Sequence, residues 1–403
     1  MTVEVVPAVC PVCSCSVAVP VFDGGNHPLA TLGWPTSAAE AQAMTKHPHH
    51  FVQCPKCTHV WNRSFSYEAI PYKSNPNRMF NKGTIWQGHL AKTSDAILSH
   101  LPSSPTFIDI GCGEGHFVRG ISQACQGLGR FIGFDPSTSA EAGLGVEFHG
   151  RYFDPLTDME VFSPDAVAIR HVLEHLTNPA QLLEELAWGS FRTNKPCWLF
   201  AEVPCIDRVF TSGRLADFFY EHVSHFTTES FQRLLARAGD IVGLDHGYNG
   251  EVIYALVKLH VPAALSERAK STDAFASQAE VSRKKIQSQL EDLFVSHQKV
   301  AIWGGTGKAA AFIHQFGVDG ARFPLVVDSD KDKVGTYVPG SGQRIVFRDD
   351  LKSEMPDVII IPTQWRAKDI VSEMAREHIT PKQVLIEHQG RLIDFAKDEH
   401  PYR

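Results

Sequence analysis

The stretch TFIDIGCGEGHFVRGI, which begins at Thr106, constrains the fold of this 403-residue chain more than any other. Apolar Phe107, Ile108 and Ile110 read as a buried strand, and apolar residues at helical spacing return at Phe117, Val118 and Ile121. Between them Gly111, Gly113 and Gly115 let the backbone turn sharply and pass close to a bound molecule, since glycine carries no Cβ. A strand feeding a helix through such a loop implies a parallel sheet with crossover helices. The surrounding text agrees, because short β-type runs (TFIDI, RFIGFD, DAVAIR, CWLFAEV) alternate with helix-type stretches from Thr106 to Val257.

The glycine spacing narrows the ligand. In the dinucleotide fingerprint G-x-G-x-x-G/A the last small residue would fall at 116, where this chain has His116. G-x-G-x-G instead suits a nucleoside without a pyrophosphate. In the methyltransferase arrangement such a loop faces the methionine part of S-adenosylmethionine. Asp135 closes the next strand, where a carboxylate can accept from both ribose hydroxyls. Asp109, Gly111, Gly113 and Asp135 are therefore the expected cofactor contacts. A further contact is expected at Arg151-Tyr152-Phe153-Asp154, where a ring and the Asp154 carboxylate would hold adenine, although Asp154 before Pro155 equally suits a cap or a turn. The fourth strand ends at Arg170-His171, beside the same ligand.

Two rival signals stand against this reading. His171-Val-Leu-Glu174-His175 matches the zinc-protease pattern H-x-x-E-H, which belongs within a helix. Here it follows a strand directly, and His175 reads as a packed or capping residue. The C-terminal block KVAIWGGTGKAAAFI carries Gly305-x-Gly307-x-x-Ala310, with Asp328 ending the next strand. By its letters it fits the dinucleotide fingerprint better than the first loop does. An NAD(P)-dependent oxidoreductase is thus the competing class, without an evident hydride-transfer site to support it.

The N-terminal segment has a different character. Cys10-Pro-Val-Cys13 and Cys54-Pro-Lys-Cys57 form two C-x-x-C pairs, each able to aim two thiolates at one metal ion. Four thiolates leave no open position, so a structural zinc ion is expected, and in so small a segment it would supply much of the folding free energy. His47, His49, His50 and His59 read as plain surface histidines rather than ligands. The nine cysteines need no disulfides in a chain whose start lacks a basic region followed by an apolar core, and a cytoplasmic location is expected. A net charge of −7 argues against a nucleic-acid partner. No apolar run approaches the roughly 20 residues that span a bilayer. A small-molecule substrate is the expected partner, and nothing in the sequence sets an oligomeric state.

The segment DFFYEHVSHFTTESFQRLL concentrates aromatics, Glu221, His222 and His225 just before an amphipathic helix capped by Thr227 or Thr228. Methyl transfer to carbon or oxygen needs a base beside the acceptor, and a histidine suits that at neutral pH. A neighbouring carboxylate could orient the imidazole or hold a substrate hydroxyl. The plainer alternative is that these residues only shape the entrance of the helix.

The order of parts resembles the nucleotide-sugar C-methyltransferase family, which includes deoxysugar C-3 methyltransferases. The likeness rests on the four-cysteine module, D-I-G-C-G, R-H-V-L-E-H, the E-H-x-S-x-F segment and the second αβ block, and covers nearly the whole chain. It implies a nucleotide-linked 4-keto-deoxysugar as acceptor, His222 as the base that removes the proton beside the ketone, and Glu221 as its companion. It also implies substrate contacts at Phe219, Tyr220 and His225, and a catalytic tyrosine at Tyr72 in P-Y-K-S. Phe219 departs from the family's tyrosine and lacks its hydroxyl, which leaves O-methylation of a related metabolite open. Lys308, at the start of the second loop's helix, would meet the diphosphate, and Trp365 either stacks on a base or packs internally. The expected architecture is α/β: a zinc-binding module over 1–70, a Rossmann-like class I methyltransferase domain over 71–260, a helical connector over 261–298 and a Rossmann-like domain over 299–403.

Overall fold

The computed structural model describes residues 3–32, 34–71, 83–137, 140, 143 and 145–403. They form two compact units, the first ending at Ala263 and the second starting at Ala264. Tyr72 lies outside the described residues.

The first unit is built on a seven-stranded sheet. Its strands are β1 (Thr106–Ile110), β2 (Arg130–Phe134), β3 (Val146–His149), β4 (Ala166–Arg170), β5 (Trp198–Pro204), β6 (Gly239–Gly247) and β7 (Val252–Leu259), in the order β6-β7-β5-β4-β1-β2-β3. β1 to β5 pair in parallel, and β7 runs antiparallel between β5 and β6. The apolar runs read from the sequence are long because these strands are covered on both faces, as parallel strands must be. Ile108, Val167 and Leu199 belong to one core cluster and Phe107, Ala168 and Phe200 to another. Strand order reverses between β1 and β4, and such a switch point opens a crevice at the carboxyl ends of the strands.

The helices that matter for that crevice are α1 (Thr84–Leu98), α2 (His116–Ala124), α3 (Pro155–Phe162), α4 (Pro179–Thr193) and α5 (Thr228–Leu235). α2 starts straight from the glycine loop and buries Phe117, Val118 and Ile121. α3 and α4 both begin on a proline, where no N–H is lost, and α4 closes on Asn194 in the left-handed region at φ 53°.

The N-terminal residues make a five-stranded antiparallel sheet from Val6–Pro7, Val17–His27, His47–Gln53, Val60–Asn62 and Ser224–His225. The last strand comes from the segment after His222, with Ser224 opposite Trp61 and His225 opposite Val60. One core cluster joins Cys10, Val12, Val52 and Trp61 to Phe226 and Phe231.

The second unit begins one residue into α6 (Ala263–Val295), a largely exposed helix that buries only Ser266, Ile286 and Leu290. A six-stranded sheet follows: β8 (Val300–Trp303), β9 (Leu325–Asp328), β10 (Ile345–Phe347), β11 (Val358–Ile361), β12 (Gln383–His388) and β13 (Arg391–Asp394), in the order β10-β9-β8-β11-β12-β13. Its residues alternate between two cores with period two. Ile302 and Ile360 pack with Ile286, Leu290, Phe312 and Ile313, whereas Trp303 and Ile361 pack with Ile370 and Met374. Helices α6 and α7 (Lys308–Phe316) therefore cover one face and α8 (Ala367–Arg376) the other. Among the described residues no helix is long and apolar enough to cross a membrane.

Candidate active site and metal centre

The two C-x-x-C turns are built alike. Ser14 N donates to Cys10 O and Thr58 N to Cys54 O, and both Ser14 and Thr58 sit in the left-handed region at φ 59° and 61°. Each turn aims its sulfurs inward, so that the four Sγ atoms of Cys10, Cys13, Cys54 and Cys57 lie within 4.8 Å of one another. The pairs Cys10–Cys57 and Cys13–Cys54 are each 3.5 Å apart. Thiolates on a tetrahedral zinc ion, at 2.3 Å from the metal, would be about 3.8 Å apart. The donor set therefore fits a dication with small adjustments. Burial pushes the Cys54 thiol up, which an ion among the sulfurs would reverse. Cys15 stays outside the cluster. The expectation of surface histidines needs correcting: His49 and His59 are buried. Burial pushes His59 down to about 3, its Nε2 lies 3.2 Å from Ser224 Oγ, and it packs against Phe226.

The glycine loop lies at the switch point as a close-approach turn. Gly111 has φ 71°, and a Cβ there would stand 2.3 Å from Val172 Cγ2. Gly113 N donates to Asp135 Oδ2 at 2.9 Å, and Ser137 N donates to Asp135 Oδ1 at 2.8 Å. Asp135 thus ties the loop to the end of β2. The loop opens into a cavity of about 1720 Å³, whose wall includes Asp109, Gly111, Gly113, Asp135, Tyr152, Phe153, Arg170, His171 and His222. That volume exceeds the ~300–1,000 Å³ of an ordinary ligand site, which leaves room for a cofactor and a second small molecule. Asp109 is buried beneath the loop, where burial pushes it up to about 7 against the pull of Arg170. Asp154 is placed differently from the adenine expectation. It is exposed and caps α3, accepting from Leu156 N and Thr157 N at 3.1 Å, and it is absent from the cavity wall.

Arg170 and His171 converge on a carboxylate that the sequence reading passed over. Glu202, in the middle of β5, is fully buried and binds Arg170 through two contacts of 3.1 and 2.7 Å. His171 Nε2 stands 3.1 Å and His89 Nε2 2.5 Å from the same carboxylate. Burial alone would raise Glu202, but Arg170, His171 and His89 hold it well below the usual carboxylate range. Burial likewise works against a charge on His171, yet Glu174 and Glu202 raise it to about 9. His171 itself adopts φ 52°, in the left-handed region rare for a non-glycine residue. Glu202's signal in the sequence was one carboxylate inside the apolar run WLFAEVP. The H-x-x-E-H pattern is not helical, because His171 directly follows the strand, which ends at Arg170, and Leu173–His175 form a single 3₁₀ turn.

The Glu221-His222 segment is clamped by the N-terminal sheet. Thr31 N and Leu32 N donate to Glu221 Oε1 at 2.7 and 3.1 Å, and Thr31 Oγ1 adds a third bond at 3.2 Å. Tyr220 points away from the cavity, its hydroxyl accepting from Ser66 N at 2.9 Å and its ring stacked on His47. His225 is buried among Phe51 and Phe218, where burial lowers it to about 4. Phe219 packs on His222 with ring centroids 4.1 Å apart. His222 alone of this segment reaches the cavity wall. Burial, followed by the neighbouring imidazoles of His175, His225 and His171, holds it well below the usual histidine range, so it is unprotonated at neutral pH.

In the second unit, the loop after β8 leads into α7. Lys308 donates to Gln364 Oε1 and lies 4.8 Å from the ring centroid of Trp365, which is 63% exposed rather than packed inside.

A methyltransferase domain model matches residues 86–239, and the model of the C-methyltransferase C-terminal domain matches residues 256–386. No curated protein matches the chain. Among solved structures, the N-methyltransferase NodS of Bradyrhizobium japonicum in complex with S-adenosyl-L-homocysteine is 14% identical, covering 47% of this chain and 94% of its own at a TM-score of 0.33. The plantazolicin methyltransferase BpumL in complex with the same compound is 17% identical, covering 44% and 84%, at a TM-score of 0.34. The second glycine loop lies inside the C-methyltransferase match, which ranks methyl transfer above nicotinamide chemistry. With the glycine loop, Asp135 and most of the cavity wall lying inside one match and most of the second α/β unit inside the other, this chain is an S-adenosylmethionine-dependent methyltransferase that carries a C-methyltransferase C-terminal domain.

Proposed function

We propose that the chain methylates a carbon atom of a nucleotide-linked keto-deoxysugar, with His222 as general base, and that Cys10, Cys13, Cys54 and Cys57 hold a structural zinc ion. The observation that carries the reading is that one cavity is walled both by the glycine loop with Asp135 and by the His222 imidazole. When bound, S-adenosylmethionine supplies an electrophilic methyl group on sulfur. The backbone of Gly111 and Gly113 would lie along its methionine part and Asp135 would take the ribose hydroxyls. A carbon acceptor has no lone pair, so a base must remove a proton beside a carbonyl and leave the electron pair on that carbon. The unprotonated His222 imidazole on the cavity wall supports that role. Tyr72 is kept as the residue that would contact the sugar. In the second unit, Lys308 at the start of α7, beside the exposed ring of Trp365, is kept as a cation that would meet a diphosphate.

The test is to incubate the protein with methyl-labelled S-adenosylmethionine and a panel of nucleotide-linked keto-sugars, following products by mass spectrometry. His222→Ala is expected to keep S-adenosylhomocysteine binding and to lose about 10²-fold or more in transfer. Unchanged turnover would remove His222 from the mechanism.

A further inference from the structure

Glu174 is 1% exposed, and among the described residues no hydrogen bond reaches either of its carboxylate oxygens. A buried carboxylate asks for donors, and the ion pair with His171 at 3.4 Å leaves its oxygens short of a close hydrogen bond among the described residues. Its surroundings are imidazoles. His171 Nδ1 stands 3.4 Å from Glu174 Oε1, and a carboxylate oxygen of Glu174 lies within 4.8 Å of ring nitrogens of both His175 and His222. His175 is directed at Glu221 O, 2.8 Å from its Nδ1. His171 is shared with Glu202 and held in a strained backbone conformation that aims its ring between the two carboxylates.

We propose that Glu174 is a positioning residue for His222: its carboxylate accepts a hydrogen bond from the imidazole and balances the positive charge the ring gains on taking the substrate proton. This rests on the reading of His222 as the base. In that step the C–H bond beside the ketone breaks, its electron pair passes into the enolate, and the proton bonds to one ring nitrogen of His222. The N–H on the other nitrogen turns to Glu174, which keeps its charge throughout, as in other carboxylate-backed imidazoles. The groups facing His222 are His171, Glu174 and His175 from the turn after β4, with Glu221 and His225 from its own segment. The imidazoles oppose its charging. Of the two carboxylates, Glu221 already accepts from Thr31 and Leu32.

The test is histidine-selective NMR of the full chain bound to S-adenosylhomocysteine, titrated from about pH 4 to about pH 8. The His222 signals are assigned by their absence in H222A. In E174Q the proton affinity of His222 is expected to fall about tenfold, since an anionic neighbour favours the charged ring. E174D, which keeps the charge, is expected to retain most of it. An unmoved titration in E174Q, or a wild-type ring with no protonation by pH 4, overturns the proposal. Failure of the base reading looks different: H222A would then transfer methyl groups at the wild-type rate, whatever the titration shows.

Discussion

Thr31 N donates to the Glu221 carboxylate at 2.7 Å, joining residues 190 positions apart and fixing the N-terminal sheet to the segment that bears His222. A carboxylate used in this way is an anchor before it is a reagent. Glu221→Ala removes a charged acceptor from two backbone N–H groups and a hydroxyl, and losing such bonds in a buried place costs about 2–4 kcal/mol. The variant is expected to unfold at lower temperature and to keep its affinity for S-adenosylhomocysteine. Full stability combined with lost transfer would assign Glu221 to the acceptor instead.

Gly111→Ala tests the close approach at the loop. A Cβ there would meet Val172 Cγ2 at 2.3 Å, at a φ that alanine adopts at a cost of about 1–2 kcal/mol. Calorimetry should show S-adenosylhomocysteine binding weakened by about tenfold or more. Wild-type affinity would mean that the loop does not lie against the cofactor.

The sulfur cluster gives a metal count. Elemental analysis of the purified protein is expected to return one zinc ion per chain, lost in C54S and retained in C15S. Because Cys10, Cys54 and Cys57 are part of the buried core, stripping the ion should also lower the unfolding temperature. Equal metal content in C54S and wild type would contradict the assignment.

His171 sets a pH dependence of stability. Folding raises it from about 6.5 to about 9, so its contribution is fully present below about pH 6.5 and is lost as the pH rises through about 9. Denaturant unfolding should therefore show stability falling across that window, with a shallower slope in H171N. Asp109, raised to about 7 by burial, acts in a lower window, weakening the fold as pH climbs from about 4 to about 7. Identical slopes in wild type and H171N above pH 7 would show that the ion pairs of His171 contribute nothing.

The sheet, the glycine loop and the two cysteine pairs were legible because each leaves a local pattern: period-two or continuous apolar runs, glycines where a Cβ would collide, thiols three positions apart. Side-chain direction was not. Tyr220 and His225 neighbour His222 in sequence but are held against the N-terminal sheet, Tyr220 stacked on His47 and His225 in the strand that pairs with Val60. Asp154 could read as a cofactor contact or a cap from its letters alone, and the proline after it, opening a helix, makes it a cap. Glu202 was hidden in an apolar strand because its partners Arg170, His171 and His89 come from two other elements.

The most direct test of the account is where the methyl group goes. With methyl-labelled S-adenosylmethionine and a nucleotide-linked keto-deoxysugar, carbon NMR of the product should show the label bonded to a ring carbon beside the ketone, and H222A should form none of it. A label bonded to oxygen, or the same carbon product from H222A at the wild-type rate, would contradict it.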